Sequence, residues 1–176
     1  MTALDLPTLA ELYELHFDFV WRSLRRLGVR SATLEDATQD VFVVAQRRLS
    51  TFEQRSSIKT WLFGIAFRVA RDHRRHASKF ASSPLVEEAL VGKDPDPQEA
   101  ALITEATGLM QTLLDQLDEH RRAVFVLAEF EEFTAQEIAD SLGIGANTVY
   151  SRLRLARRDL DQALRRLRAR ADWTGP

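Results

Sequence analysis

Residues 134–160, TAQEIADSLGIGANTVYSRLRLARRDL, decide the fold. Thr134 is placed to cap a helix. Glu137, three residues on, completes a capping box in which hydroxyl and carboxylate each satisfy an orphan backbone N–H. Ile138, Ala139 and Leu142 give that helix one apolar face. Gly143 ends it, because glycine accepts the left-handed conformation that a helix terminus favours. Ile144 plugs the turn, and a second helix begins near Ala146.

The second helix divides its side chains between two faces. Val149, Leu153, Ala156 and Leu160 recur at steps of three and four and form an apolar stripe. Asn147, Ser151, Arg154 and Arg158 repeat that spacing from two positions earlier, and two residues are about 200° of rotation, so this row faces away from the core. An outward row of Asn, Ser and Arg can hydrogen-bond base edges and phosphates in a major groove. Together the two helices form a helix-turn-helix signature. An ordinary helical hairpin with a solvated charged face is the bland alternative, but it has no need of the capping box, the turn glycine and the one-sided arginine row together.

Working outward, 176 residues suit one domain or two small ones. The net charge of −2 argues against a uniformly basic nucleic-acid binder, but the charge is unevenly spread. Residues 1–80 carry 13 Lys/Arg against 9 Asp/Glu, and residues 81–113 carry 1 against 6. Residues 145–170 hold 8 Arg against only Asp159 and Asp161. Basic surface is therefore local, with an acidic segment between two basic ones. The chain contains no cysteine, which excludes disulfides, thiolate zinc sites and thiol redox sensing. Neither a signal peptide nor a bilayer-spanning run is present, so a cytoplasmic protein is expected.

From the start, Pro7 to Leu27 reads as a helix with Leu9, Leu12, Tyr13, His16, Phe19, Val20 and Leu24 on one face and Gly28 at its end. His16 there reads as a core-edge histidine making one hydrogen bond, not a metal ligand. A second helix follows, LEDATQDVFVVAQRRL, with Leu34, Ala37, Val41, Val44 and Ala45 inward and Asp36, Gln39, Asp40, Val43 and Arg47 opposite. Acids early in a helix complement its dipole, so this outer row is either helix stabilisation or a docking face for a basic partner, and spacing alone does not choose. After the polar break STFEQRSSIK, Thr60 is expected to cap a third helix with Trp61, Leu62, Ile65, Ala66, Val69 and Ala70 inward. Arg68, Arg71, His73, Arg74, Arg75, His76 and Lys79 load its second half with more positive charge than a helix end needs. With Trp61 and Phe52 nearby, that strip suits phosphate tracking beside aromatics open to unstacked bases.

Residues 81–100, ASSPLVEEALVGKDPDPQEA, differ in kind: proline and acid are frequent and apolar residues few, as in a flexible linker. Pro97 is placed to open the next helix, an amphipathic one carrying Leu102, Ile103, Leu109, Met110, Leu113, Leu114 and Leu117. Asp118 can cap EHRRAVFVLAEFEEF, with Ala123, Val124, Val126, Leu127 and Phe130 buried. Beyond Leu160, QALRRLRAR prolongs the recognition helix and ADWTGP is expected to fray. The expected fold is all-α: a first domain over 1–80, a linker over 81–100 and a second domain over 101–176.

Read together, these segments resemble a bacterial extracytoplasmic-function (ECF) sigma factor over roughly residues 7–168. Asp36-Ala37-Thr38-Gln39-Asp40-Val41-Phe42 resembles the D-x-x-Q-[DE]-x-F signature of the second sigma domain. Thr60-Trp61-Leu62, Ile65-Ala66, Asp72-His73 and Arg75 resemble its promoter-melting helix. Leu114-Asp115-Gln116-Leu117, Glu137-Ile138-Ala139, Leu142-Gly143-Ile144 and Thr148-Val149-Tyr150-Ser151-Arg152 resemble the fourth domain. The resemblance implies that Asp36, Gln39, Asp40 and Val43 dock on the β′ clamp helices of core RNA polymerase, which tips the open choice toward a docking face. It implies that Phe52, Gln54, Arg55 and Ser56 hold a flipped −10 base, with Trp61, Arg68, Arg71 and Arg75 near the opening duplex. Asn147, Tyr150, Ser151 and Arg154 would lie closest to −35 bases, Arg152, Arg157 and Arg158 would mainly hold phosphates, and Thr148 would belong to the same −35 surface. It also implies contact with the β flap, an acidic linker threading the polymerase toward the RNA exit path, and an anti-sigma factor able to hold the chain at a membrane. No catalytic residue, metal, cofactor or small-molecule substrate is implied.

Three positions depart from the family pattern. Asp118 stands where Pro is frequent, which its capping role explains; Arg68 stands where Asn is frequent, and Tyr150 where a basic residue is common. Two other classes fit less well. A stand-alone helix-turn-helix regulator needs a ligand pocket and a dimer interface in the first half, where a basic strip and an acidic helix stand instead. A nucleic-acid enzyme needs a metal pair or a phosphate-cradling glycine loop, and Asp36, Asp40 and Asp72 suggest neither.

Overall fold

The computed structural model describes residues 7–79 and 97–173. Those residues form seven α-helices: α1 (Leu9–Arg26), α2 (Ser31–Arg48), α3 (Ile58–Lys79), α4 (Pro97–Leu114), α5 (Glu119–Glu129), α6 (Ala135–Leu142) and α7 (Ala146–Trp173). A single 3₁₀ turn, Leu49–Thr51, follows α2. Most of the segment read as a linker, and the tip of the C-terminal tail, lie outside the described residues, as do the side chains of Leu102 and Ile103.

Helices α1, α2 and α3 pack on one another, while α7 packs against α5, α6 and α4. Local chemistry sets most of their ends. Thr8 caps α1 in a capping box with Glu11, Asp118 caps α5 through His120 and Arg121 N–H, and Thr134 with Glu137 caps α6. Gly143 closes α6 in the left-handed conformation at φ 65°. Pro97 opens α4, where its missing N–H costs nothing.

Three expectations are corrected here. Thr60 does not cap α3, because the helix starts at Ile58; the Ser57 hydroxyl instead accepts from Thr60 N–H at 3.1 Å, and Thr60 is buried. The buried Nδ1 of His16 makes no hydrogen bond among the described residues, and burial with nearby Lys59 holds this imidazole below its ordinary pKa. Helix α7 runs on through Trp173, past the point where fraying was expected.

One difference bears on how the halves relate. The apolar core is continuous from Leu12 and Phe63 to Leu127 and Ala156, because α6 packs directly on α3. Arg122 is buried to 1% exposure at this junction, where its Nε donates to Arg26 O and its Nη1 to Asp115 Oδ1 at 2.6 Å. Nothing in the local sequence around Arg122 announces a buried cation. Conversely Leu109 and Met110, expected on the inner face of α4, are exposed.

Candidate nucleic-acid interface

Helix α2 presents Asp36, Gln39, Asp40, Val43 and Arg47 to solvent in one row. Because α2 begins at Ser31, its first turn holds no acid. The helix dipole acts within the first turn, so dipole compensation does not account for Asp36 and Asp40. Val43 remains 43% exposed in this polar row. Asp40 Oδ2 lies 2.9 Å from His73 Nε2, a link between the acidic row and α3 that sequence spacing did not signal.

The aromatic pair sits at the start of α3. The Phe52 and Trp61 rings lie 5.0 Å apart and tilted by 39°, and both are half-buried. Between them in sequence, Gln54 takes φ 54°, a costly conformation for a non-glycine residue. Arg55 pairs with Glu53 in the same loop, where Ser56 is half-buried. From Trp61 the exposed face of α3 continues at seven-residue steps to Arg68 and Arg75, both exposed. Arg71 does not join them. It is rotated by about 60° from Arg68 and lines the cleft between α3, the α1–α2 turn and Glu119, with its Nε buried and without a hydrogen-bond partner.

In the helix-turn-helix, Val149 and Ala156 are buried while Asn147, Tyr150, Ser151, Arg154, Arg157 and Arg158 are exposed; Thr148 and Arg152 are half-buried. Tyr150 is 62% exposed, so its ring is free to meet a base edge. The Ser151 hydroxyl donates to Thr148 O at 3.0 Å. Arg157 donates through Nε and Nη2 to Glu129 Oε1, and Arg158 donates to Asp159 Oδ1. Burial pushes the Asp159 carboxyl up, but hydrogen bonds from Arg158 and Arg121 outweigh it, and its pKa lies below the ordinary value. Arg154 has no ion-pair partner among the described residues. No helix among them is long and apolar enough to cross a membrane.

Comparison with known proteins places both halves. The Sigma-70 region 2 family model matches residues 12–80, and the Sigma-70, region 4 model matches residues 107–160. The RNA polymerase sigma factor YlaC of Bacillus subtilis is 30% identical over 164 residues, covering 92% of this chain and 94% of that protein. The ECF RNA polymerase sigma factor RpoE of Cereibacter sphaeroides is 28% identical over 155 residues, covering 86% and 83%. Among solved structures, the sigma factor RpoE of Bartonella quintana, crystallised with the anti-sigma factor NepR, shares the fold at TM-score 0.67 and 20% identity, with 89% of this chain and 96% of that one covered. With two separately matched sigma regions in order and a near-full-length relative, the chain belongs to the ECF branch of the sigma-70 family, the promoter-recognising subunits of bacterial RNA polymerase.

Proposed function

We propose a division of labour in which residues 1–80 bind core polymerase and the −10 element and residues 101–176 bind the −35 element, with residues 81–100 as the connection. The observation that carries it is the one-sided exposure of α7: Asn147, Tyr150, Ser151 and Arg154 stand open above a buried stripe of Val149 and Ala156. Bidentate or apolar contacts from such a row discriminate bases in the major groove. Arg152, Arg157 and Arg158 flank it and hold phosphates, which position the helix without reading sequence.

On the other half, Asp36, Gln39, Asp40 and Val43 dock on the β′ clamp helices. The exposed valine among carboxylates favours a partner with a basic rim and an apolar centre. Trp61 and the loop from Phe52 to Ser56 receive an unstacked −10 base, while Arg68 and Arg75 hold the adjoining backbone. Extruding a base costs a few kcal/mol, which stacking and phosphate contacts offset. Arg71 contributes only if the cleft around it opens. A cytoplasmic location and control by an anti-sigma factor complete the reading, the latter supported by the shared fold of a relative crystallised with one.

The test is transcription in vitro with core polymerase and a promoter library. The wild-type chain is expected to start RNA synthesis from a subset sharing −35 and −10 sequences; no transcript from any template overturns the proposal. Asp40→Ala is expected to reduce co-purification with core polymerase, and full retention would make that face structural.

A further inference from the structure

Helix α7 is longer than its helix-turn-helix requires. The Sigma-70, region 4 match ends at residue 160, yet α7 runs on without a break through Trp173. The added turns are anchored: Ala163 is buried, Leu164 and Leu167 are half-buried, and α7 packs on α4. Their other faces are strongly basic. Residues 162–170, QALRRLRAR, carry four arginines and no acid, and all four arginines are exposed. A helix dipole favours cations only in the last turn, and of the four only Arg170 lies there. Compensation of the dipole therefore does not account for Arg165 and Arg168.

Rotation places two of the four with the base-reading row. At about 100° per residue, Arg165 lies about 20° around the helix from Arg154 and Arg168 about 40° from it on the other side, whereas Arg166 and Arg170 are turned away by about 120° and 160°. On the same count Asn147, Tyr150, Ser151 and Arg158 all lie within about 60° of Arg154. The outward row thus continues past the matched region. Asp161 falls in it too, but Arg165 pairs with that carboxylate at 2.9 Å, while Arg168 has no ion-pair partner among the described residues. At about 1.5 Å per residue, Arg165 and Arg168 stand about 17 and 21 Å along the axis beyond Arg154. A major groove is about 12 Å wide, so with Arg154 on a base edge the two later arginines have left the groove and face the backbone beside it. Homeodomains use the C-terminal end of their reading helix on the backbone in the same way. We propose that Arg165 and Arg168 form a second phosphate clamp on the duplex flanking the −35 element, up to about six base pairs from the base that Arg154 reads, at about 3.4 Å per base pair. The clamp adds affinity without reading sequence, and the packing of Ala163, Leu164 and Leu167 fixes its distance from the reading residues.

The proposal rests on the promoter reading above, and its test separates the two. The full chain is assembled with core polymerase and titrated with promoter duplex at several salt concentrations. The double variant Arg165→Gln/Arg168→Gln removes both charges at exposed positions and keeps good helix formers there. It is expected to lower the slope of log affinity against log salt by about 1–2, since each phosphate contact contributes about 0.9 and Arg165 exchanges Asp161 for its phosphate. Sequence preference in a binding-site selection stays as in the wild type. Arg165→Lys/Arg168→Lys restores the wild-type slope, because an ammonium also serves a phosphate as a point charge. Ethylation of single phosphates is expected to block wild-type binding at a cluster outside the −35 element and to leave the glutamine variant indifferent at that cluster. An unchanged slope with an unchanged ethylation pattern would overturn the clamp. So would a defect of the glutamine variant that appears only when a second protein is added, which would assign the strip to an acidic protein surface. Wild-type holoenzyme that shows no preference for any −35 sequence over scrambled duplex would instead overturn the promoter reading, and the change in salt slope is still measurable on that scrambled duplex.

Discussion

On α3, Arg68 and Arg75 have no carboxylate within ion-pair reach among the described residues, whereas on α7 Arg157 bonds Glu129 and Arg158 bonds Asp159. In the proposed reading, the same residue type thus meets DNA from two starting points. A bare arginine gains the whole phosphate attraction and releases a counterion. A partnered one exchanges a carboxylate for a phosphate, gaining less, but its guanidinium is already held in place. Helix α7 also carries arginines with no acidic partner among the described residues, Arg152 and Arg154 among them. In the proposed reading, Arg154 as base reader and Arg68 and Arg75 as phosphate holders all start without a carboxylate partner among the described residues, while Arg157 and Arg158 are set in advance by a neighbour.

Four substitutions press on this contrast, in descending order of effect. Arg154→Ala should weaken −35 binding by about 1–3 kcal/mol and relax preference at one position; unchanged promoter preference in a binding-site selection would remove its reading role. Arg75→Ala should weaken −10 binding for all sequences alike and lower the slope of log affinity against log salt by about 1, measured by titration at several salt concentrations. Arg157→Ala should do the same at the −35 element with a smaller loss, because the wild type already gives up its Glu129 bond on binding. A loss equal to that of Arg75→Ala would mean that the Glu129 contact is worth nothing. Glu129→Gln should act in the opposite direction, freeing Arg157 and tightening DNA binding by about 0.2–1 kcal/mol, the worth of an exposed pair. Weaker binding in that variant would show that Glu129 orients Arg157 more than it competes for it.

Much of the candidate site was legible because helical periodicity is local. The outward rows of α2 and α7 were set out by spacing alone, and all nine of Asp36, Gln39, Asp40, Val43, Arg47, Asn147, Ser151, Arg154 and Arg158 are exposed. Arg71 is half-buried where Arg68 and Arg75 are exposed, because three residues of helix rotate it toward the cleft that Glu119 also lines. The cap of α3 was placed three residues late because Ser57 and Thr60 are both competent capping residues, and only the hydrogen bond between them distinguishes the roles. Gly64 was a signal left unused. A glycine inside a well-formed helix costs about 1 kcal/mol relative to alanine, and here it stands where another backbone approaches.

What the sequence determined by itself were the helices and most of their caps and inward and outward faces, with the cap of α3 and the face of α4 that carries Leu109 and Met110 as exceptions. These follow from a period of 3.6 residues and from hydrogen bonds spanning three or four positions. Which face of one helix meets which face of another was decided only in three dimensions. The bonds Arg122 to Arg26 and Ser141 to Thr60 join residues 96 and 81 positions apart. Their partners are selected by packing shape and by the need to satisfy buried polar groups, and neither leaves a trace in a local window of sequence.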